Sequence, residues 1–435
     1  MTAHAFDSHV DFARALDAAD GLARFAEEFE RPVGPGGAPA SYLSGHSLGL
    51  MPRAARASVE RELERWSRQG ASGHFDGADG WFGYHERFAA PLAGLVGADA
   101  AEVVAMNSLT VNLHLMLVSF FAPAGERRRI LIERGAFPSD RYAVESELAL
   151  HGLDPGQDLV ELGARSGARR DAGAGERIDA EALERALAAE QGRIALVLLP
   201  GVQYLTGEAV DLAACASVAR RHGCRIGFDL AHAIGNLVVD LRAAEPDFAV
   251  WCSYKYLNGG PGAIGGCFVN RRHIGARGLP RLEGWWGHDK ATRFEPGARF
   301  APIASAEAWQ LSNPPVLAMA PLAASLALFE AAGLERLRQK SIALTGYLER
   351  LLVAECSEAI ELLTPPEPDA RGAQLSLRLR RSAAETGAVV AALREAGVFA
   401  DWRAPDVLRL APVPLYNSFG DVHAGVTALA AALRR

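Results

Sequence analysis

Two residues in this chain have the type and setting for covalent chemistry, Lys255 and Asp229. Lysine is scarce: only Lys255, Lys290 and Lys340 occur among 45 basic residues, so any amine chemistry has three candidates. Lys290 lies in the polar run GHDKATR and Lys340 in the charged, helical run LERLRQKS, and both read as solvated. Lys255 instead sits in SYKYLNGGPG, between two tyrosines and ahead of a glycine-rich loop. An amine in that setting suits Schiff-base formation with a carbonyl. Asp229 closes the apolar run CRIGFD, and Lys255 closely follows the apolar run FAVWC. Strands whose carboxyl ends carry an acid and a lysine put both on the rim where open α/β sheets bind ligands.

A lysine and an acid so placed meet the needs of pyridoxal phosphate, whose pyridine nitrogen must stay protonated if the ring is to act as an electron sink. Asp229 is the candidate acid. A D…K pair taken alone reads more simply as a helix cap and a surface ion pair. Successive strand ends, scarce lysine and flanking glycines favour the cofactor.

The elements that must position these groups lie around them. Apolar runs at 103–106, 129–133, 194–199, 224–228 and 248–252 alternate with helical patterns such as 211–222. That alternation predicts a mostly parallel sheet with right-handed crossovers. Asn107-Ser108-Leu109-Thr110 opens an apolar helix running to Phe121, and its free N–H groups suit a phosphate or, more plainly, an ordinary cap. In Phe137-Pro138-Ser139-Asp140 the aromatic could stack on a pyridine ring, while Ser139 or Asp140 could cap the next helix.

Residues 7–30 have helical spacing until PVGPGGAPA breaks it. A glycine turn, GHSLG, precedes a helix over 52–69 that stops at Gly70, and a loop carrying His74 follows. Residues 163–177 form a low-complexity loop, and LEGWWGH is a second, aromatic loop. The double proline of Ser312-Asn313-Pro314-Pro315 marks a domain border. Beyond it, helices at 316–332, 334–352 and 384–396 and strands at 375–379 and 407–410 predict a smaller α+β domain. The expected division is an N-terminal segment 1–50 joining the small domain, a large domain 51–315 and a small domain 316–435. Arg409 could fork onto a carboxylate.

Composition narrows the alternatives. With 49 % hydrophobic and 22 % charged residues the chain is an ordinary globular protein, and 435 residues suit two domains. A net charge of −7 gives no general attraction to nucleic acid or anionic membrane. Five cysteines without CxxC spacing read as buried thiols, and with no basic, apolar leader at the N-terminus they suggest a cytoplasmic protein. No apolar run reaches the 18 residues of a membrane span, and the twelve histidines form no metal-binding motif.

The segments GFDLAHAIGN and WCSYKYLNGGPG resemble kynureninase, a fold-type I pyridoxal phosphate hydrolase of the aspartate aminotransferase superfamily, class V. AMNSLTVNLHLMLVSFF, AFPSDRYAVES, LEGWWGH, LSNPP and LAPVPLYNSF fit the same family in the same order. The resemblance implies a large domain on a mostly parallel seven-stranded sheet, a small α+β domain and a homodimer. It implies hydrolysis of L-kynurenine, or its 3-hydroxy form, at the Cβ–Cγ bond to anthranilate (or 3-hydroxyanthranilate) and L-alanine. That reaction serves tryptophan degradation, NAD biosynthesis and secondary metabolism.

Residue by residue, the resemblance makes Lys255 the Schiff-base lysine, Asp229 the pyridine partner and Tyr254 a proton-transfer group. It assigns cofactor contacts to Leu109, Thr110, Phe137, Pro138, Ser139, Asp140, His232, Trp285 and Asn313, and substrate contacts to Ser47, His74, Ser312, Asn313 and Arg409. His46 stands where the family has Asn. Cysteine desulfurases and selenocysteine lyases of the same superfamily typically place a histidine before the lysine, where this chain has Tyr254, and use a cysteine on a mobile loop. A catalytically silent binding protein would need none of the chemistry of Lys255, Asp229 and Arg409.

Overall fold

The computed structural model describes residues 6–77, 80–163, 177–276, 278–297 and 299–435. The low-complexity loop expected at 163–177 lies almost wholly outside the described residues.

Seven strands form the large sheet: β1 (Val103–Ala105), β2 (Arg129–Glu133), β3 (Leu159–Leu162), β4 (Ile194–Pro200), β5 (Arg225–Asp229), β6 (Phe248–Cys252) and β7 (Gly265–Val269). Their spatial order is β1-β7-β6-β5-β4-β2-β3. Pairings among β6, β5, β4, β2 and β3 are parallel, whereas β7 runs antiparallel to β6 and β1. Strands covered on both faces read as continuous apolar runs, and every residue of β4 (IALVLLP) and β6 (FAVWC) is buried. This is the α/β, fold-type I architecture expected.

The helix over 52–69 is Arg53–Gln69, and its chain reverses at Gly70, whose φ is +52°. The helical spacing over 7–30 resolves into a helix Val10–Ala18 and a short 3-10 turn Ala23–Glu28. Asp20 ends that first helical stretch and pairs with Lys340 at 2.7 Å, both side chains buried. Lys340 is therefore not solvated, because the N-terminal segment folds over it. Lys290 is tied to Glu86 and Glu307.

Four antiparallel strands, Ile360–Leu362, Leu375–Leu379, Val407–Leu410 and Asp401–Arg403 in spatial order, form the small sheet. Its core includes Leu344, Leu348, Leu377, Leu408 and Val426, and also Ala13 and Leu43 from the N-terminal segment. Leu22, Phe25 and Leu50 of that segment belong to the large core instead. The helix Val316–Ala332 buries Met319, Leu322 and Phe329 in the large core, and the next helix, Leu334–Cys356, carries Leu337 in one core and Leu344 in the other. The change of core thus falls one helix beyond Pro315. Among the described residues no single helix is long and apolar enough to cross a membrane.

Candidate active site

Strands β2, β4 and β5 end in Glu133, Pro200 and Asp229, and β6 leads into Tyr254 and Lys255. Their carboxyl ends, with the start of the helix Leu109–Phe120, enclose a cavity of about 160 Å³. Its lining includes Leu109, Thr110, Phe137, Ser139, Asp140, Asp229, His232, Tyr254 and Lys255. Nine expected site residues, scattered over almost 150 positions, therefore line one cavity. Pro138, between Phe137 and Ser139, is the first residue of the helix Pro138–Leu150.

At one end of the cavity, Ser108 precedes the helix Leu109–Phe120 without capping it through its side chain. The first backbone N–H groups and the positive dipole end therefore face the cavity as an anion site. Gly265 permits this: a Cβ there would lie 2.9 Å from the Trp251 carbonyl and 3.1 Å from the Leu109 nitrogen. In the middle, the Lys255 Nζ lies 5.8 Å from the centre of the Phe137 ring and 5.8 Å from that of Tyr254. Phe137 is braced edge-on by Tyr204, with ring centres 5.1 Å apart.

Two expected acids line the same cavity. Asp229 accepts a hydrogen bond from the Ala231 N–H at 2.7 Å. Burial raises its pKa, and the Lys255 charge opposes that rise. Asp140 is hydrogen-bonded to Asp229, and burial followed by the charges of Asp229 and Glu133 holds its pKa well above the carboxylate range. Asp140 is raised further than Asp229, so of the two Asp140 is the first to take a proton and Asp229 the first to ionise. His232 is driven well below the usual imidazole range by burial and by Lys255 and Arg409, so it is neutral. Burial raises Tyr254, which keeps its phenolic proton.

The residues present fit pyridoxal phosphate. An amine, a buried carboxylate, an aromatic plate and an open helix N-terminus are its four requirements, and all face one cavity. Asp140 Oδ1 and His232 Nδ1 are buried there without a hydrogen-bond partner, as polar atoms awaiting a ligand are.

Other expected residues lie apart. Ser47 is half-buried in the GHSLG turn, which docks on the lysine's backbone: Gly49 N–H donates to the Tyr254 carbonyl at 2.8 Å, and a Cβ at Gly49 would sit 2.3 Å from the Lys255 carbonyl. His46 in that turn is fully buried, its ring 6.2 Å from that of His232. Arg409 is 1 % exposed, and its fork is held by Asp401 (2.8 and 2.6 Å) and the Tyr204 carbonyl (2.6 Å). His74 and Asn313 line a different, more apolar groove with Trp66, Trp81, Trp286 and Leu317. Ser312 is exposed beside it. Trp285 is 49 % exposed, and its indole N–H donates to the Arg293 carbonyl at 2.8 Å. None of His74, Ser312, Asn313 or Trp285 lines the Lys255 cavity of its own chain.

Sequence reasoning passed over Glu133, Tyr204 and Asp401. Glu133 ends the apolar run RILIE as Asp229 ends CRIGFD, so the same strand-end signal could have found it. Nothing local marks Tyr204 or Asp401, whose importance comes from contacts with distant residues.

Residues 337–429 match the family model for the kynureninase C-terminal domain. Curated kynureninases from Xanthomonas euvesicatoria and Koribacter versatilis are 54 % identical over 94 % of this chain and 95 % of theirs, and 51 % identical over 97 % of each. This chain belongs to the kynureninase family. These kynureninase relatives match far more closely in sequence than two solved structures of similar shape. A C-DES variant with glycine covalently linked to its PLP cofactor shares 20 % identity at a TM-score of 0.73, covering 93 % of this chain and 98 % of that one. The cysteine desulfurase CsdA of Escherichia coli shares 18 % at 0.73, covering 95 % and 98 %. At those identities only the fold is held in common. This chain also buries all five of its cysteines. Burial raises Cys252 and Cys356 to about 11, so neither offers the thiolate a sulfur acceptor needs.

Proposed function

We propose that this protein hydrolyses L-kynurenine at the Cβ–Cγ bond to anthranilate and L-alanine, using pyridoxal phosphate held in the Lys255 cavity. The observation that carries the reading is that Lys255 and Asp229 line one cavity at strand ends, in a chain 54 % identical to a curated kynureninase over 94 % of its length. When bound, the cofactor supplies an electron sink for carbanionic charge on the substrate.

The chain's own groups have distinct tasks. Lys255 holds the cofactor through its amine and, when released, moves a proton at the substrate Cα. Asp229 keeps the ring nitrogen protonated and Phe137 covers the ring face. Leu109 and Thr110 offer backbone N–H groups to the phosphate, Pro138 and Ser139 shape the turn beside it, and Asp140 holds Asp229 in place. Tyr254, still protonated, has a hydroxyl proton to give. Neutral His232 adds no positive charge beside the lysine. Arg409, whose fork Asp401 and the Tyr204 carbonyl hold, is the group assigned to the amino acid carboxylate, together with Ser47.

The aromatic groove supports a homodimer in which His74, Ser312, Asn313 and Trp285 complete the site of a second copy. Phe75, Phe294 and Trp66 are each more than 60 % exposed there, and contiguous exposed aromatic surface marks an interaction site. Those polar groups suit an aryl ring bearing a hydroxyl, so 3-hydroxykynurenine is a second substrate. A cytoplasmic role in tryptophan catabolism accords with the buried free thiols.

The test is to add L-kynurenine to the protein loaded with pyridoxal phosphate and follow anthranilate fluorescence and alanine. Visible absorbance with stoichiometric anthranilate and alanine is expected. A coloured protein that releases no anthranilate overturns the substrate, and one that stays colourless overturns the role of Lys255. Specificity constants for the two kynurenines then test the hydroxyl preference.

A further inference from the structure

Glu133 closes β2 and lines the same cavity as Asp229, Asp140 and Lys255. It is 5 % exposed. Arg141, on the helix that follows, is taken by Glu145 and Glu161 at 2.7 and 2.6 Å. The titratable groups around Glu133 are Glu161 on β3, Asp229 on β5, Asp140 on the helix Pro138–Leu150, Tyr204 beyond β4, and Lys255 and His232 across the cavity. Three carboxyls therefore share a wall that faces one lysine. Each further ionised carboxyl there loses its hydration on burial and adds like-charge repulsion, so the wall favours having fewer than three charges.

We propose that Glu133 is a positioning residue for the cofactor's ring: as a neutral acid beside the Asp140–Asp229 pair it leaves Asp229 the single anion of that wall, and its own ionisation adds the second. Burial raises Glu133 to about 8, its own backbone N–H opposes the rise, and Asp229 and Glu161 add to it. The proposal rests on pyridoxal phosphate binding in this cavity and does not depend on kynurenine being the substrate. Its consequence is electrostatic. Once Glu133 ionises, the wall presents a second negative charge to the cofactor's ring, which favours the protonated ring nitrogen.

Two measurements test this. In the cofactor-free protein, folded Glu133 keeps its proton to about pH 8, whereas an unfolded glutamate loses it near about 4.3. The unfolded state binds fewer protons between those values, so Glu133 makes stability fall as pH rises through them. Glu133→Gln and Glu133→Leu do not titrate. The melting temperature of each, minus that of the native protein, is expected to climb from about pH 5 to about pH 8, and the slope can be read from whichever variant folds. A gap independent of pH overturns the proposal. In the loaded protein, the visible spectrum is expected to change between about pH 7 and about pH 9 in the native protein more than in Glu133→Gln, because only the native wall gains a charge over that range. Identical pH profiles overturn it. Neither readout uses kynurenine, so failure of the substrate assignment leaves both interpretable.

Discussion

At the carboxyl ends of the large sheet, Asp229, Asp140 and Glu133 are buried among one another, and all three have raised pKa values. At the opposite end of the same sheet, Asp247 is equally buried but is held down at about 2. It accepts from His273 at 2.7 Å, the Ile226 N–H at 2.8 Å, Arg272 at 2.9 Å and Arg225 at 3.0 Å. Desolvation acts on all four acids. What differs is the supply of donors: one end provides them from the chain, and the other withholds them. Paired acids hold strands together, whereas acids left short of partners bind something else.

The contrast predicts that the two ends fail differently when mutated. Lys255→Ala should lower kcat/KM on the order of ten-thousand-fold, as measured by anthranilate release, without lowering the melting temperature. Asp229→Asn should cost about a hundredfold in kcat. Because burial disfavours its charge, the cofactor-free variant should melt no lower than the native protein; a clear fall would place Asp229 with Asp247 as a structural acid. His74→Ala or Asn313→Ala should cost about tenfold. If the groove serves a second copy, unfolding and refolding Lys255→Ala together with Asn313→Ala should restore roughly a quarter of native activity, the share of sites that combine two intact halves in a randomly mixed twofold dimer. No recovery would confine each site to one chain.

Asp247→Asn should change activity least and stability most. The shift to about 2 from a usual 3.8 corresponds to about 2 kcal/mol at neutral pH. Because the folded pKa is depressed, that contribution is complete above the unfolded value and disappears as pH falls toward 2. Denaturant midpoints of the two proteins should therefore converge in acid. A constant gap would mean that Asp247 acts through packing rather than charge.

Much of the fold was legible because strands buried on both faces leave uninterrupted apolar runs. The expected strands at 129–133 and 248–252 coincide with β2 and β6. The cavity was legible for a related reason: a polar residue closing such a run, as Asp229 does, has no place in the core and must lie on its rim. Glu133 closes the run RILIE in the same way, but no lysine follows a neighbouring run to single it out as one does for Asp229. Lys340 could not be read at all. Its charged helical surroundings look solvated, and only the return of the N-terminal segment brings Asp20 onto it.

By itself the sequence determined the strand–helix alternation and the family, and it singled out the candidate amine and acid, because each is written in consecutive residues or in their order. Tertiary structure alone decided that Asp401 and the Tyr204 carbonyl hold the Arg409 fork, that three carboxyls line one cavity, and that His74, Asn313 and Trp285 lie outside the cavity of their own chain's lysine. Those are distances between residues far apart along the chain. They depend on how sheet, helices and N-terminal segment pack, and local patterning of side chains carries no record of that.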